Sequence, residues 1–152
     1  MNLEEQKNSS SNLQSDMEII TPEIKDRILF FLVENSDVER LSQGNTKDIL
    51  DELGVSFKTF NAVMNQFERF GFVSDLNLRE SYSSFVLLVE AHDFKFKGGF
   101  VMREEIFEAN FNKLFLEIES LKKQLDPSSL DKLSKISTIA STLLGGFTLL
   151  KK

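Results

Sequence analysis

The spacing of apolar residues changes once in the first half of this chain, at Gly71. Before Gly71 apolar residues recur every three or four positions, which is typical of amphipathic helices. After Gly71 two short apolar runs, residues 72–78 and 85–89, flank a polar segment and are typical of paired strands. The sequence therefore predicts a mainly α-helical chain with one small antiparallel β-hairpin.

Capping residues and glycines mark three helices before the hairpin. Thr and Asn side chains accept the free N–H groups at a helix start, and glycine adopts the left-handed conformation that often ends one. We predict helices over residues 22–34, 47–53 and 56–70, with a polar linker over residues 35–45. The third helix has bulky apolar residues on one side, which predicts that this side faces the core.

Three short segments follow one another in a recognisable order. Residues 45–50 (Asn-Thr-Lys-Asp-Ile-Leu) open the second helix, residues 53–56 (Leu-Gly-Val-Ser) join it to the third, and residues 67–73 (Phe-Glu-Arg-Phe-Gly-Phe-Val) lead into the first strand. This order resembles the winged-helix (helix-turn-helix) domain of bacterial regulators, over about residues 21–99. The resemblance implies a small, dimeric transcriptional regulator that binds DNA through its third helix.

The polar side of the third helix is the candidate DNA-binding surface. Asn side chains can bind adenine, and Lys or Arg can bind guanine or phosphate. An arginine in the predicted wing would contact the DNA backbone or minor groove. The candidate DNA-binding residues are Lys58, Thr59, Asn61, Asn65, Arg69 and Arg79. The alternative hypothesis is that these side chains form only the solvated side of an amphipathic helix.

The charge of the chain favours a different class of partner. Its formal net charge is −6, whereas DNA-binding domains are usually basic because phosphate contacts supply most of their affinity. Asp48, Asp51 and Glu52 lie on or beside the second helix, where phosphates would run. The alternative function is therefore a non-catalytic module that binds a protein partner and is tethered to a membrane or an oligomer through its apolar C-terminal helix.

Residue types that carry catalysis are scarce. The chain has no Cys and one His, His92, and no Ser lies in a nucleophile-elbow context. One His with scattered carboxylates lacks metal-ligand spacing, and the Gly-Gly pairs lack the context of a phosphate loop. We therefore expect no enzyme, no cofactor and no metal. The absence of Cys and the polar start of the chain suggest a cytoplasmic protein.

The flanking segments complete the predicted organisation. Residues 1–17 are polar and are expected to be a disordered lead before the winged-helix domain, residues 18–99. Residues 100–126 are predicted to form a long amphipathic helix. Its apolar stripe, within residues 101–125, would form either a homodimer or a contact with its own domain.

The last predicted element is an apolar C-terminal helix, residues 127–152. Its uncharged part, residues 136–150, is shorter than the roughly 20 residues that span a bilayer. Two alternatives stay open. The segment could associate with a membrane, which would place the protein at its cytoplasmic face, or it could be buried against the long helix or a second subunit.

Overall fold

A computed structural model describes residues 19–150, with side chains as far as residue 146. The predicted disordered lead, residues 1–17, lies outside the described residues. The elements follow one another as α1 (Pro22–Asn35), β1 (Leu41–Gly44), α2 (Thr46–Leu53), α3 (Phe57–Arg69), β2 (Val73–Leu78), β3 (Ser83–Leu87), α4 (Val89–Phe96), α5 (Gly99–Lys122) and α6 (Pro127–Leu150). The prediction of a mainly α-helical chain with a small antiparallel sheet is confirmed.

The sheet has three strands rather than the predicted two. Strand β3 lies in the centre and pairs antiparallel with β2 on one side and with β1 on the other. Strand β1 begins at Leu41, which pairs with Val86, and it lies inside the segment predicted to be a polar linker. Its sequence, Leu-Ser-Gln-Gly, has no β-branched residue, so pairing with β3 rather than local propensity makes it a strand.

The predicted helix caps are present. The Thr21 hydroxyl accepts a hydrogen bond from the Ile24 N–H at 3.4 Å, and the Asn45 side chain accepts one from the Lys47 N–H at 2.8 Å. Gly54 ends α2 with φ at 64°, in the left-handed region. These contacts are local in sequence, which is why the residue types alone predicted them.

The core joins α1, α3 and the sheet. Ile28, Leu29 and Leu32 of α1 pack against α3 and are fully buried. A cluster of five aromatic rings, those of Phe67, Phe70, Phe72, Phe94 and Phe100, extends this core to the start of α5. The Phe94 ring lies 4.9 Å from that of Phe72 and 4.7 Å from that of Phe100, measured between centroids. We call residues 20–100 the head, because this packing includes the first turn of α5.

Helix α4 was not predicted. It occupies residues between the last strand and Gly98, and it packs against α1. The Lys95 ammonium group lies 2.7 Å from the Glu34 carboxylate and 5.1 Å from the Phe30 ring centroid, so it connects the two helices. The single histidine, His92, lies on α4.

Helices α5 and α6 pack on each other as a helical hairpin. Asp126 lies in the connecting turn, and its carboxylate accepts hydrogen bonds from the Ser128 and Ser129 N–H groups, both at 3.0 Å. Ile118, Ser137 and Ala140 are buried where the helices meet. The apolar segment of α6 therefore contacts the long helix of its own chain, one of the alternatives left open by the sequence. Across the described residues, no helix is both long and apolar enough to cross a membrane.

Candidate nucleic-acid interface

The orientation of α3 defines the candidate interface. Phe60, Val63, Met64 and Phe67 are all fully buried against the core. The opposite side of the helix is polar and faces outward. The Ser56 hydroxyl caps α3 by accepting a hydrogen bond from the Thr59 N–H at 3.1 Å. The helix is therefore fixed by its apolar side and its cap, and its polar side is available to a ligand.

Lys58 and Arg69 mark the two ends of this outward side. Both side chains are exposed. They lie 11 residues apart, which corresponds to about 16 Å along the axis at roughly 1.5 Å per residue. Within residues 19–146 neither side chain takes part in a salt bridge. Each cation is thus available for an external anion.

Asn61 and Asn65 occupy the middle of the outward side and are half-buried. The Asn65 amide group donates to the Asn61 backbone carbonyl at 2.7 Å and to the Asn61 side-chain carbonyl at 3.1 Å. This contact leaves the amide group of Asn61 as a donor and the side-chain carbonyl of Asn65 as an acceptor. The two side chains together therefore present one donor and one acceptor on adjacent turns.

Thr59 is not on the outward side, and its predicted exposure is wrong. Its side chain is 4% exposed, and its hydroxyl accepts a hydrogen bond from the Ser56 hydroxyl at 3.0 Å. Thr59 precedes the fully buried Val63 by four residues, so it lies at the edge of the buried side of the helix. Thr59 therefore positions the start of α3 instead of facing solvent.

Arg79 lies at the turn between β2 and β3. Its backbone N–H and carbonyl pair with those of Tyr82 at 2.9 and 3.3 Å, which leaves Glu80 and Ser81 as the two turn residues. The side chain of Arg79 is exposed. The structure therefore places Arg79 on a different element from the four exposed or half-buried residues of α3.

Thr46 ties this turn to α2, a role that the sequence did not indicate. The fully buried Thr46 hydroxyl donates to the Arg79 carbonyl at 2.6 Å. It also lies 2.7 Å from the Ser83 hydroxyl, which then serves as the donor to Thr46. Both partners are more than thirty residues away in sequence, so no local pattern could have revealed the contact.

The charge around the candidate interface is mixed. Residues 45–82, which span α2, α3 and the β2–β3 turn, carry four basic and six acidic side chains. The basic ones are Lys47, Lys58, Arg69 and Arg79. The acidic ones are Asp48, Asp51, Glu52, Glu68, Asp75 and Glu80. Few cations are thus available here to neutralise phosphates.

A groove of about 540 Å³ runs beside the C-terminal end of α3. Gln66 of α3 and Phe70, directly after α3, line it together with Lys25 of α1 and with Arg103 and Phe107 of α5. The Lys25 ammonium group lies 5.4 Å from the Phe100 ring centroid at its floor. The groove depends on how three helices pack, so no pattern within the sequence could predict it.

No group of three or more His, Cys, Asp or Glu side chains able to hold a metal ion occurs among the described residues. Comparison with known proteins found no family model, no curated protein and no solved structure that matches this chain.

Proposed function

We propose that the head binds DNA as a winged helix, with α3 as the recognition helix and the β2–β3 turn as the wing. The observation that carries this proposal is the outward polar side of α3, which holds Lys58, Asn61, Asn65 and Arg69 while its apolar side is buried. The element order from α1 to β3, with β3 central in the sheet, supports it. The protein would act in the cytoplasm as a small transcriptional regulator, without catalysis or a cofactor.

The spacing along α3 suits a helix lying in the major groove. The groove is about 12 Å wide, and Lys58 and Arg69 lie about 16 Å apart along the axis. In this arrangement the two cations would bind phosphates on opposite edges of the groove. Asn61 and Asn65 would face the base edges between them, where amide groups bind adenine.

The wing would add a third phosphate contact. Arg79 lies at the β2–β3 turn, which Thr46 holds to the start of α2. An arginine there is placed to bind the flanking backbone or the minor groove. Three cations per head predict that the logarithm of the binding constant falls with the logarithm of the salt concentration with a slope near three per head. Each phosphate contact contributes about 0.9 to this slope.

The acidic residues give a second candidate function, a head that binds a protein. Asp48, Asp51 and Glu52 lie on α2, which in a winged helix runs close to the DNA backbone. The groove beside Phe70 would offer an apolar surface to such a partner. Binding of this kind would depend mainly on apolar contact and would respond weakly to salt.

The salt dependence of DNA binding tests the proposal. The full-length protein would be titrated with duplex DNA over a salt series, as wild type, as Lys58→Ala with Arg69→Ala, and as Lys97→Ala. Lys97 is exposed at the end of α4, outside the proposed interface, and controls for the loss of a surface cation. We expect the double variant to bind more weakly and with a shallower slope, and Lys97→Ala to bind like wild type.

Two results would count against DNA binding by α3. Equal affinity of the double variant and the wild type would remove α3 from the interface. No binding by any folded variant at low salt would favour the protein-binding head.

A further inference from the structure

Three exposed apolar side chains form a line along α5. Phe107, Leu114 and Leu121 follow one another at intervals of seven residues and are 48%, 48% and 47% exposed. Seven residues are close to two helical turns, so the three side chains lie nearly above one another. Leu125, in the turn after α5, continues the line and is 37% exposed.

A second line runs along α6. Ile136, Ile139 and Leu143 are spaced by three and four residues and are 48%, 62% and 44% exposed. This spacing places them on one side of the helix. Ser137 and Ala140, each one residue after an exposed isoleucine, are buried against α5.

Both lines lie on the same side of the α5–α6 hairpin. Viewed along the axis of α5, Leu114 and Leu121 lie about 40° and 60° around the helix from the buried Ile118. Both are displaced in the sense in which the helix turns toward lower residue numbers. On α6, each exposed isoleucine is rotated from its buried neighbour by about 100° in the same direction. Because the helices of a hairpin run antiparallel, the same sense of rotation brings both lines to one side. We call this surface the hairpin face.

The opposite side of the hairpin is mainly polar. By the same rotation, its residues are Glu105, Asn112, Leu116 and Lys123 of α5 and Ser134, Thr138 and Ser141 of α6. Leu116 is the large apolar residue of this group and is 67% exposed. The hairpin therefore has one mainly polar side and one side that carries both apolar lines, where Arg103 and Glu117 of α5 and Lys132 of α6 lie beside them by the same rotation.

We propose that the hairpin face is covered by the hairpin of a second copy of this chain, which forms a four-helix bundle between two heads. The face holds seven large apolar side chains, each about half exposed. Their exposed surface amounts to on the order of 500 Å² per copy, or 1,000 Å² in a pair. This area is at the lower limit of specific interfaces. A self-complementary face pairs by two-fold symmetry.

A second copy fits the face better than a lipid surface does. Helices that lie on membranes usually carry Lys and Arg on their polar side. The hairpin, residues 99–146, carries six basic and seven acidic side chains, so it has no excess of positive charge. The net charge of −6 also opposes approach to an anionic leaflet.

The inference goes beyond DNA binding, because it concerns a surface that does not depend on what the head binds. It also changes the predicted dimer contact. The sequence predicted a homodimer through residues 101–125, whereas the hairpin face takes three of its seven apolar side chains from α6.

Light scattering after gel filtration, on the full-length protein without detergent or DNA, tests this inference. We expect twice the chain mass of 17.4 kDa. Leu114→Glu with Leu143→Glu should give the single-chain mass with an unchanged helical circular dichroism spectrum. Leu116→Glu, on the polar side, should keep the doubled mass. If the double variant does not fold, Ile139→Glu serves instead, because Ile139 is 62% exposed.

Three results would overturn the inference. The wild type could have the single-chain mass at every concentration. Leu116→Glu could dissociate the pair as fully as the double variant. The wild-type protein could have the single-chain mass and sediment with phosphatidylglycerol vesicles, which would assign the hairpin face to lipid. Since no DNA is present, none of these results depends on DNA binding by the head.

Discussion

The Asp26 carboxylate of α1 caps the first turn of α5, where it accepts hydrogen bonds from the Phe100 N–H at 2.7 Å and the Val101 N–H at 2.9 Å. Asp26 is 7% exposed, and its two partners follow it by 74 and 75 residues. A carboxylate at a helix N-terminus also interacts favourably with the helix dipole. This contact fixes where the long helix leaves the head, and so where the hairpin face lies relative to α3.

Removing this cap should destabilise the whole head. We expect Asp26→Ala to lower the free energy of unfolding by about 2–4 kcal/mol, because the buried Phe100 N–H and the partly buried Val101 N–H lose a charged acceptor. Urea unfolding followed by circular dichroism measures the change. The control is Asp37→Ala, which breaks an exposed pair with Arg40 and should cost less than about 1 kcal/mol. A loss no larger for Asp26→Ala than for Asp37→Ala would contradict this account.

Gly99 should be more sensitive to substitution than Gly71, although both are in the left-handed region. Gly99 and Gly71 have φ values of 73° and 72°. A Cβ at Gly99 would overlap the Asp26 carboxylate, whereas a Cβ at Gly71 would meet no atom within 4 Å. Gly71→Ala should therefore cost about 1–2 kcal/mol for its conformation alone. Gly99→Ala should cost more, in the same urea assay, and an equal cost would show that the cap tolerates the methyl group.

The Thr46 hydroxyl should hold the wing in place. Thr46→Val keeps the volume but removes the donor to the Arg79 carbonyl and the acceptor for the Ser83 hydroxyl. We expect a loss of about 1–3 kcal/mol, since buried polar groups are left unpaired. Amide hydrogen exchange should become faster at Tyr82, whose N–H pairs with Arg79. Thr46→Ser keeps the hydroxyl, and its exchange at Tyr82 should remain close to that of the wild type.

The α5–α6 hairpin should weaken in acid. The hydrogen bond from Lys122 lowers the pKa of Glu119, and the Ser137 hydroxyl adds to this effect. A carboxylate with a lowered pKa in the folded state contributes stability above its ordinary pKa, near 4.5. That stability is lost as pH falls through the lowered value. Backbone hydrogen bonds from Ser129 lower the pKa of Asp126 in the connecting turn, with the same sign.

Glu119→Gln separates the contribution of Glu119 to acid sensitivity from that of Asp126. The variant should lose less stability than the wild type between neutral pH and pH values below the ordinary Glu range, as measured by thermal unfolding across pH. Glu117→Gln, on an exposed neighbour, is the control and should follow the wild type. Parallel pH profiles for Glu119→Gln and the wild type would rule out a role of Glu119 in acid sensitivity.

Local side-chain chemistry explains which parts of the fold the sequence predicted. Thr21, Asn45 and Gly54 act on residues within one turn, so the helix ends followed from residue types alone. The apolar spacing of α3 likewise placed Lys58 and Arg69 on its outward side. Thr59 was misassigned because it lies at the edge between the two sides, where burial depends on neighbouring elements.

Contacts between distant residues explain what the sequence did not predict. Strand β1 forms because β3 pairs with it, and its four residues have no strand pattern of their own. In the sequence, Asp26 is only one acidic residue of an amphipathic helix. Its role as a cap depends on α5, whose first turn lies beside it in the fold. The hairpin face likewise depends on how α6 packs on α5, which the spacing within either helix does not determine.

Selection of DNA by the full-length protein is the most direct test of DNA binding by α3. The protein would be incubated with fragmented DNA from its own genome over a salt series, and the recovered fragments would be sequenced. If α3 binds DNA and the hairpin pairs two heads, the fragments should share a motif with two-fold symmetry, whose enrichment fades as salt rises and is lost in Lys58→Ala with Arg69→Ala. No enrichment by a folded protein at low salt would contradict DNA binding and would assign the outward side of α3 to another partner.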